Sequence, residues 1–193
     1  MKNVKLINRD LVLVKYRNFP LLAFEEDLDD YFSYCPDYIG FYWIKLKEEN
    51  DAVLIEELLK LLNFFETKEL IFLGQIDKPW ISKPMSKRFS SVIYNKAIKF
   101  FKSNAIWTKF NGAVKVEKES FNEFLTHFFT LTKFEAYFCD HYFSDESQNI
   151  LFSIHYSGEI QILTLNDEAD NNFLSFVKNT EFIDSFRKDT DRL

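Results

Sequence analysis

The sequence predicts an α+β domain with a largely antiparallel sheet, a C-terminal meander of three strands and about five helices. Segments with the aromatic or β-branched composition of strands are interspersed with segments whose apolar residues recur at helical spacing. The last three predicted strands, at 134–142, 150–156 and 159–165, are joined too tightly for the crossovers that parallel strands require. No linker rich in Pro, Gly or Ser divides the chain, so we expect one domain over residues 1–193.

The N-terminal half is expected to alternate strands with helices. Strands are predicted at 4–7, 11–16, 38–47 and 70–73, and helices at 21–34 and 51–65. The strand at 11–16 is predicted from the apolar run LVLVKY. The helix at 21–34 is predicted because apolar residues recur at positions 21, 24, 28, 31 and 32, with a cluster of acidic residues on the opposite face and Pro36 after its end.

The C-terminal half is expected to contain the other three helices. They are predicted at 85–102, at 120–131 and, as one helix or a pair, at about 169–187. Ser120 and Glu123 form the Ser-x-x-Glu pattern of a capping box at the start of the second of these helices. The dipeptide Asn111-Gly112 is typical of a two-residue hairpin turn, which would join strands at 106–110 and 113–116.

The terminal hairpin permits a prediction of register. A three-residue loop over residues 156–158, with Gly158 at a positive φ angle, pairs Ile154 with Ile160 and buries apolar residues on one face. The opposite face then collects polar residues, and His155 lies across from Glu159. The full polar set is Ser153, His155, Glu159 and Gln161.

A candidate catalytic patch follows if the preceding loop, 144–149, joins its strands symmetrically. Phe143 then pairs with Ile150, Asp140 lies on the polar face near His155, and His141 points to the apolar face. Asp140, His155 and Glu159 would together suit the acid–base chemistry of a hydrolase-like enzyme. The competing interpretation, which we favour, is a solvated sheet face with an ordinary cross-strand charge pair.

Signatures of cofactor and metal chemistry are missing. The chain has four Gly in total and contains no GxGxxG, phosphate loop, GxSxG or HExxH motif. Its three histidines, His127, His141 and His155, are not at ligand spacing, and Cys139 is typical of a small buried hydrophobe. We therefore expect no cofactor and no metal.

Charge is distributed unevenly along the chain, whose net charge is −6. Five of six consecutive positions are acidic: Glu25, Glu26, Asp27, Asp29 and Asp30. Because these carboxylates repel one another, a basic protein partner would relieve a cost in stability and would be steered to the site. In size and charge the chain resembles the bacterial immunity proteins, small acidic proteins that neutralise a basic nuclease or other toxin. The leading prediction is a non-enzymatic domain that masks a basic partner through the acids of the predicted helix at 21–34 or through acids near Asp140 and Glu159.

A basic segment at 78–118 supports a third prediction, a polyanion-binding module. It carries ten Lys or Arg residues against one acid, with Trp80, Tyr94 and Trp107 between them. The candidate contacts are Lys83, Lys87, Arg88, Lys99 and Lys102. An isoelectric point near 5.2 argues against nucleic acid as the ligand, because the field of the remaining residues opposes a polyanion.

The compartment is predicted from what the sequence lacks. The longest apolar runs are about four residues, whereas a membrane span needs roughly 18. The N-terminal residues lack the apolar stretch and cleavage site of a signal peptide, and two cysteines form no disulfide framework. A cytoplasmic protein without membrane association is the expectation.

Overall fold

An eight-stranded sheet in which all the pairings are antiparallel forms the centre of the computed structural model. The structure describes residues 3–27, 30–76, 78–81, 91–135, 138 and 141–185. Within these residues the five α-helices are α1 (Arg9–Lys15), α2 (Asp51–Phe64), α3 (Val92–Ser103), α4 (Phe121–Phe134) and α5 (Asp167–Val177). This architecture confirms the predicted α+β fold.

The strands belong to two sheets. They are β1 (Val4–Ile7), β2 (Leu21–Glu25), β3 (Asp30–Tyr34), β4 (Gly40–Leu46), β5 (Glu69–Leu73), β6 (Ala113–Glu117), β7 (Tyr142–Asp145), β8 (Ile150–Ile154), β9 (Ile160–Thr164) and β10 (Phe182–Asp184). The large sheet has the order β1-β6-β5-β7-β8-β9-β4-β10, while β2 and β3 form a two-stranded sheet of their own. The predicted C-terminal meander is present as β7, β8 and β9.

The two faces of the large sheet are covered unequally. Alternate residues of β5 show the division, because Phe72 lies in the larger apolar cluster and Ile71 in the smaller one. Helices α2, α3, α4 and α5 contribute to the larger cluster, whereas Val12, Tyr16 and Phe19 of the α1 region pack on the smaller. Within the described residues, no helix is both long and apolar enough to cross a membrane.

Segment 11–16 is helical and not a strand. Asn8 caps α1, because its side chain accepts hydrogen bonds from the backbone N–H groups of Asp10 and Leu11. Val12 and Tyr16 lie one helical turn apart and are both buried, whereas Leu11 and Val14 are exposed. The cap and this spacing outweigh the strand preference of the β-branched residues.

The predicted helix at 21–34 is also wrong, since this segment is the antiparallel hairpin of β2 and β3. Leu21 pairs with Tyr34 at its base and Glu25 with Asp30 near its tip. Five closely spaced acids destabilise a helix, and aromatic residues such as Tyr31 and Phe32 favour strands. In the hairpin the acidic residues fall at and beside the turn.

Three further boundaries differ from the predictions. No strand forms at 106–110, because β6 has β1 and β5 on its two sides and leaves no edge for a local hairpin partner. Helix α4 continues to Phe134 and β7 begins at Tyr142, and positions 136, 137, 139 and 140 of the strand predicted at 134–142 lie outside the described residues. The final predicted helix ends at Val177, after which β10 joins the edge of the sheet beside β4.

Other predictions are confirmed with small changes. Helix α2 and strands β1, β4 and β5 lie close to the predicted positions. Five apolar residues at helical spacing in the segment predicted as a helix at 120–131 are all buried in α4, namely Phe121, Phe124, Leu125, Phe128 and Phe129. The capping box is not formed, because the Ser120 side chain makes no capping hydrogen bond. In α3 the buried face includes Tyr94 and Ile98, whereas Ile93 is exposed.

Candidate functional site

The turn between β8 and β9 has the predicted register. Ile154 pairs with Ile160 and Phe152 with Ile162, as the burial argument requires. Gly158 has a φ angle of 92°, in the region that favours glycine. The backbone N–H of His155 donates to the carbonyl of Glu159 at 2.8 Å, which brings these two predicted site residues together.

A hydrogen-bonded chain of three side chains lies on this turn. The Ser157 hydroxyl donates to Glu159 Oε2 at 2.9 Å, and its Oγ lies 2.6 Å from His155 Nδ1. The Ser157 backbone N–H donates to Nδ1 at 3.4 Å in the tautomer whose Nδ1 carries the lone pair. In the other tautomer Nδ1 donates to Ser157 Oγ, the hydroxyl donates to Glu159, and the lone pair of the imidazole lies on Nε2.

The chemistry open to these three hydrogen-bonded side chains depends on their exposure to solvent and on the neighbouring aromatic rings. The side chains of His155 and Glu159 are 40% and 31% exposed, so a solute can reach them. The His155 ring lies between two aromatic rings, with centroids 6.2 Å from Trp43 and 4.1 Å from Tyr156. In the tautomer with its lone pair on Nε2, an accessible imidazole linked to a hydroxyl and a carboxylate is suited to act as a general base. Sequence reasoning missed Ser157, because it lies in the turn, where the alternation of strand residues does not apply.

A small pocket adjoins Ser157 and Glu159. Its volume is about 150 Å³, well below the roughly 300 Å³ of a typical drug-sized ligand site. The apolar part is lined by Leu46, Leu54 and Phe129. Charged groups of both signs line its rim, including the pair formed by Lys133 and Asp51 at 2.9 Å. The pocket has room for a small molecule or a single side chain.

The predicted position of Asp140 relative to this turn is not supported. Asp140 lies outside the described residues, and the register on which its placement depended is wrong by two residues, since Phe143 pairs with Phe152 and not with Ile150. Tyr142, and not Asp140, lies across from Ser153. His141 is buried as expected, but it packs against Phe138 and Trp80, with ring centroids 4.4 and 4.5 Å away.

Four of the five acidic residues, Glu25, Glu26, Asp27 and Asp30, belong to the described part of the β2–β3 hairpin and lie at one end of it. Glu26 and Asp27 are exposed in the turn, and the backbones of Glu25 and Asp30 are cross-strand partners beside it. Asp29 lies outside the described residues, and nothing is described of the side chains of Glu25 and Asp30. We call residues 25–30 the acidic tip. The predicted partner-binding residues thus belong to a hairpin and not to a helix face.

The basic segment is less suited to a polyanion than its composition indicates. Lys99 is exposed and Lys102 half-buried on α3, while Lys83, Lys87 and Arg88 lie outside the described residues. Trp80 and Tyr94 are buried in the core and offer no surface for stacking a base. Trp107 is exposed.

Metal ligands do not converge in the part of the chain that the structure describes. No group of three His, Cys, Asp or Glu side chains is close enough there to hold an ion. His127 packs on Phe100 with ring centroids 4.5 Å apart, and burial lowers its pKa.

The fold and these sites define an α+β protein with an acidic hairpin and an accessible His–Ser–Glu chain on a second turn. Comparisons with protein-family models, with curated proteins and with solved structures found no match. Functional assignment therefore depends on the chemistry of the sites themselves.

Proposed function

We propose that this protein is a non-enzymatic acidic domain that binds and masks a basic protein partner through its acidic tip. One observation carries the proposal: Glu26 and Asp27 are exposed in the turn of a hairpin that is a separate two-stranded sheet, and the other three acids are their neighbours in sequence. An exposed turn can reach a partner without any change in the eight-stranded sheet. This arrangement is typical of a recognition loop positioned on a rigid scaffold.

The electrostatics of the tip support a basic partner. Like charges at cross-strand positions destabilise a sheet, and Glu25 and Asp30 are such a pair. Glu26 and Asp27 add two exposed negative charges between them. A basic surface would remove this repulsion on binding and would accelerate association at low ionic strength.

Charge reversal at the tip tests the proposal. The triple variant Glu26→Lys, Asp27→Lys and Asp29→Lys is immobilised beside the wild type and exposed to nuclease-treated lysate of the source organism. We expect a stoichiometric basic protein on the wild type, released by salt, and its loss from the variant because attraction becomes repulsion. The matched control reverses three exposed acids elsewhere, Glu48, Glu119 and Glu181, and should retain the partner. Equal retention by both variants would rule out the tip.

A second candidate function is acid–base catalysis of hydrolysis at the β8–β9 turn, supported by the hydrogen-bonded chain described above. In this proposal His155 Nε2 accepts a proton from water, and Ser157 and Glu159 hold the imidazole in the required tautomer. Asp140 was predicted as a third member of the catalytic group. It lies outside the described residues, so the proposal gives it no catalytic role.

Two measurements test the catalytic candidate. A panel of nitrophenyl esters and phosphates should be turned over by the wild type and not by His155→Ala, which must keep the wild-type circular dichroism spectrum. Nitrogen NMR of the neutral imidazole should find the proton on Nδ1. In Ser157→Ala the fraction of molecules with the proton on Nε2 should rise, because the hydroxyl that accepts from Nδ1 is lost. A fully active His155→Ala variant would eliminate this function.

A further inference from the structure

Exposed apolar residues are concentrated near the base of the β2–β3 hairpin and the start of β4. Five of them are between 43% and 54% exposed: Leu21, Tyr34, Tyr38, Ile39 and Phe41. We call these five residues the apolar patch. Exposed apolar groups scattered singly need no explanation, but a concentration bordered by charge is typical of a protein-binding surface.

The members of the patch are close in space as well as in sequence. Leu21 and Tyr34 are cross-strand partners at the base of the hairpin. The rings of Tyr38 and Phe41 lie 5.9 Å apart, centroid to centroid. Since four residue steps separate Tyr34 from Tyr38, these two halves of the patch lie within roughly 14 Å of each other.

One half of the patch is held on the rigid sheet. The amide of Ile39 donates to the carbonyl of Thr164 at 2.8 Å, and the amide of Gly40 donates to Thr164 Oγ1 at 2.9 Å. Phe41 belongs to β4 and pairs with Leu163 of β9. A surface ordered in advance loses little conformational entropy on binding, which favours its use as an anchor site.

The acidic tip lies one strand length from the patch. Four residue steps from Leu21 to Glu25 span roughly 14 Å. A standard interface buries about 800 Å² per partner, a patch about 30 Å across, so both features fit within one footprint. A second copy of this chain does not suit the surface, because self-association would bring together molecules with a net charge of −6 and two acidic tips.

We infer that the apolar patch is the docking site for an apolar centre of the basic partner, whose Lys and Arg side chains reach the acidic tip. The inference rests on the proposed masking function and adds the chemistry of the partner surface. Tyrosine-rich patches of this kind supply much of the binding energy in an interface, whereas peripheral charges supply rate and specificity.

A phage-displayed library of random peptides, selected on the full-length protein, tests the inference. We expect enriched peptides to combine Lys or Arg with aromatic or aliphatic residues. The best synthetic peptide should bind the triple variant Tyr34→Ser/Tyr38→Ser/Phe41→Ser at least about tenfold more weakly than it binds the wild type. The control variant Leu11→Ser/Val14→Ser removes two exposed apolar residues of α1 and should bind as the wild type does.

A second readout uses Cys35, an exposed free thiol between Tyr34 and Tyr38. In a Cys139→Ser background the peptide should slow alkylation of Cys35, and in the patch variant it should not. If the triple variant fails to fold, Tyr38→Ser alone should give a smaller loss of affinity in the same direction.

The outcomes separate the inference from the function on which it rests. Unchanged affinity in the patch variant, with loss in the tip variant, overturns the docking site and leaves the masking function. Patch-dependent peptides that lack basic residues overturn the inferred partner chemistry and count against the masking function. A wild-type dimer that the patch substitutions dissociate identifies a second copy as the occupant, and an empty selection also overturns the inference.

Discussion

At the residue scale, Asp145 shows how one buried carboxylate decides a strand register. It accepts hydrogen bonds from the backbone N–H groups of Ser147, Asn149 and Ile150 at 3.2, 2.7 and 3.1 Å. These bonds close a tight turn between β7 and β8, which moves the pairing two residues from the symmetric arrangement that the sequence predicts. The register therefore depends on a capping interaction rather than on apolar alternation alone.

Replacing Asp145 with Ala is expected to destabilise the protein by about 3 kcal/mol, because one buried and three part-buried hydrogen bonds lose a charged acceptor. Urea unfolding followed by circular dichroism measures the change. Ser147→Ala removes an exposed hydroxyl from the same turn and should change the stability by less than about 0.5 kcal/mol. A small effect of Asp145→Ala would contradict the role of this carboxylate.

The pH dependence of Asp145→Asn provides a second check. Burial raises the pKa of Asp145 above its usual value of 3.8, although the backbone donors partly oppose the shift. A carboxyl with a raised folded-state pKa binds its proton more tightly when folded. The wild type should therefore lose stability relative to Asp145→Asn as the pH rises from 3.8 through the raised pKa. Unfolding measured at a series of pH values gives the difference in unfolding free energy between the two proteins. That difference should change with pH in the stated direction, and a difference independent of pH would contradict the prediction.

At the element scale, the β2–β3 hairpin is the part of the chain where the proposed binding function would compete with stability. A two-stranded sheet is marginally stable in isolation, and this one carries a pair of like charges at Glu25 and Asp30. Natural proteins retain such costs where binding needs them. The hairpin should therefore be among the less protected elements of the structure.

Asp30→Lys should stabilise the hairpin while weakening partner binding. The substitution converts a like-charged cross-strand pair into an opposite one, a gain of about 0.5 kcal/mol that slows amide exchange of β2 and β3 about twofold. Hydrogen exchange with mass spectrometry measures the protection. Asp37→Lys makes the same change of charge at an exposed position beyond β3 and should leave exchange in the hairpin unaltered. Faster exchange in Asp30→Lys would refute the assigned pairing.

At the scale of the whole molecule, both faces of the large sheet are covered by packed side chains, but many more helices contribute to one face than to the other. The larger cluster includes side chains from α2, α3, α4 and α5, whereas the smaller one depends on α1 and the segment that follows it. Phe19 is a main component of the smaller cluster and is 2% exposed. Because β5, β6, β8 and β9 each contribute residues to both clusters, loss of one cluster should destabilise the other.

Phe19→Ala is accordingly expected to destabilise the entire fold by about 3–5 kcal/mol, the usual cost of emptying a buried phenylalanine site. Urea unfolding should shift equally when followed by circular dichroism and by tryptophan fluorescence, to which buried Trp80 of the other cluster contributes. Ile93→Ala, at an exposed position of α3, is the control and should change the stability by less than about 0.5 kcal/mol. Separate transitions would indicate that the two faces unfold independently.

The sequence by itself determined those features that depend on local pattern. Helix α4 follows from the spacing of Phe121, Phe124 and Phe128, and the β8–β9 register follows from Gly158 and the demand that Ile154 and Ile160 share a buried face. The location of His155 opposite Glu159 follows from that register. Apolar periodicity and turn residues suffice for these features, because each depends only on residues that are close in sequence.

Only the tertiary structure decided the partners of β6 and which residues of α1 are buried against the large sheet. Strand β6 pairs with β5, whose Leu70 is the partner of Val116, far away in sequence. The His–Ser–Glu chain and the apolar patch likewise depend on which surfaces the sheet and helices leave uncovered. The physical reason is that local propensities differ by about 1 kcal/mol or less, whereas burying one large side chain contributes about 1.5–3 kcal/mol, so packing overrides them.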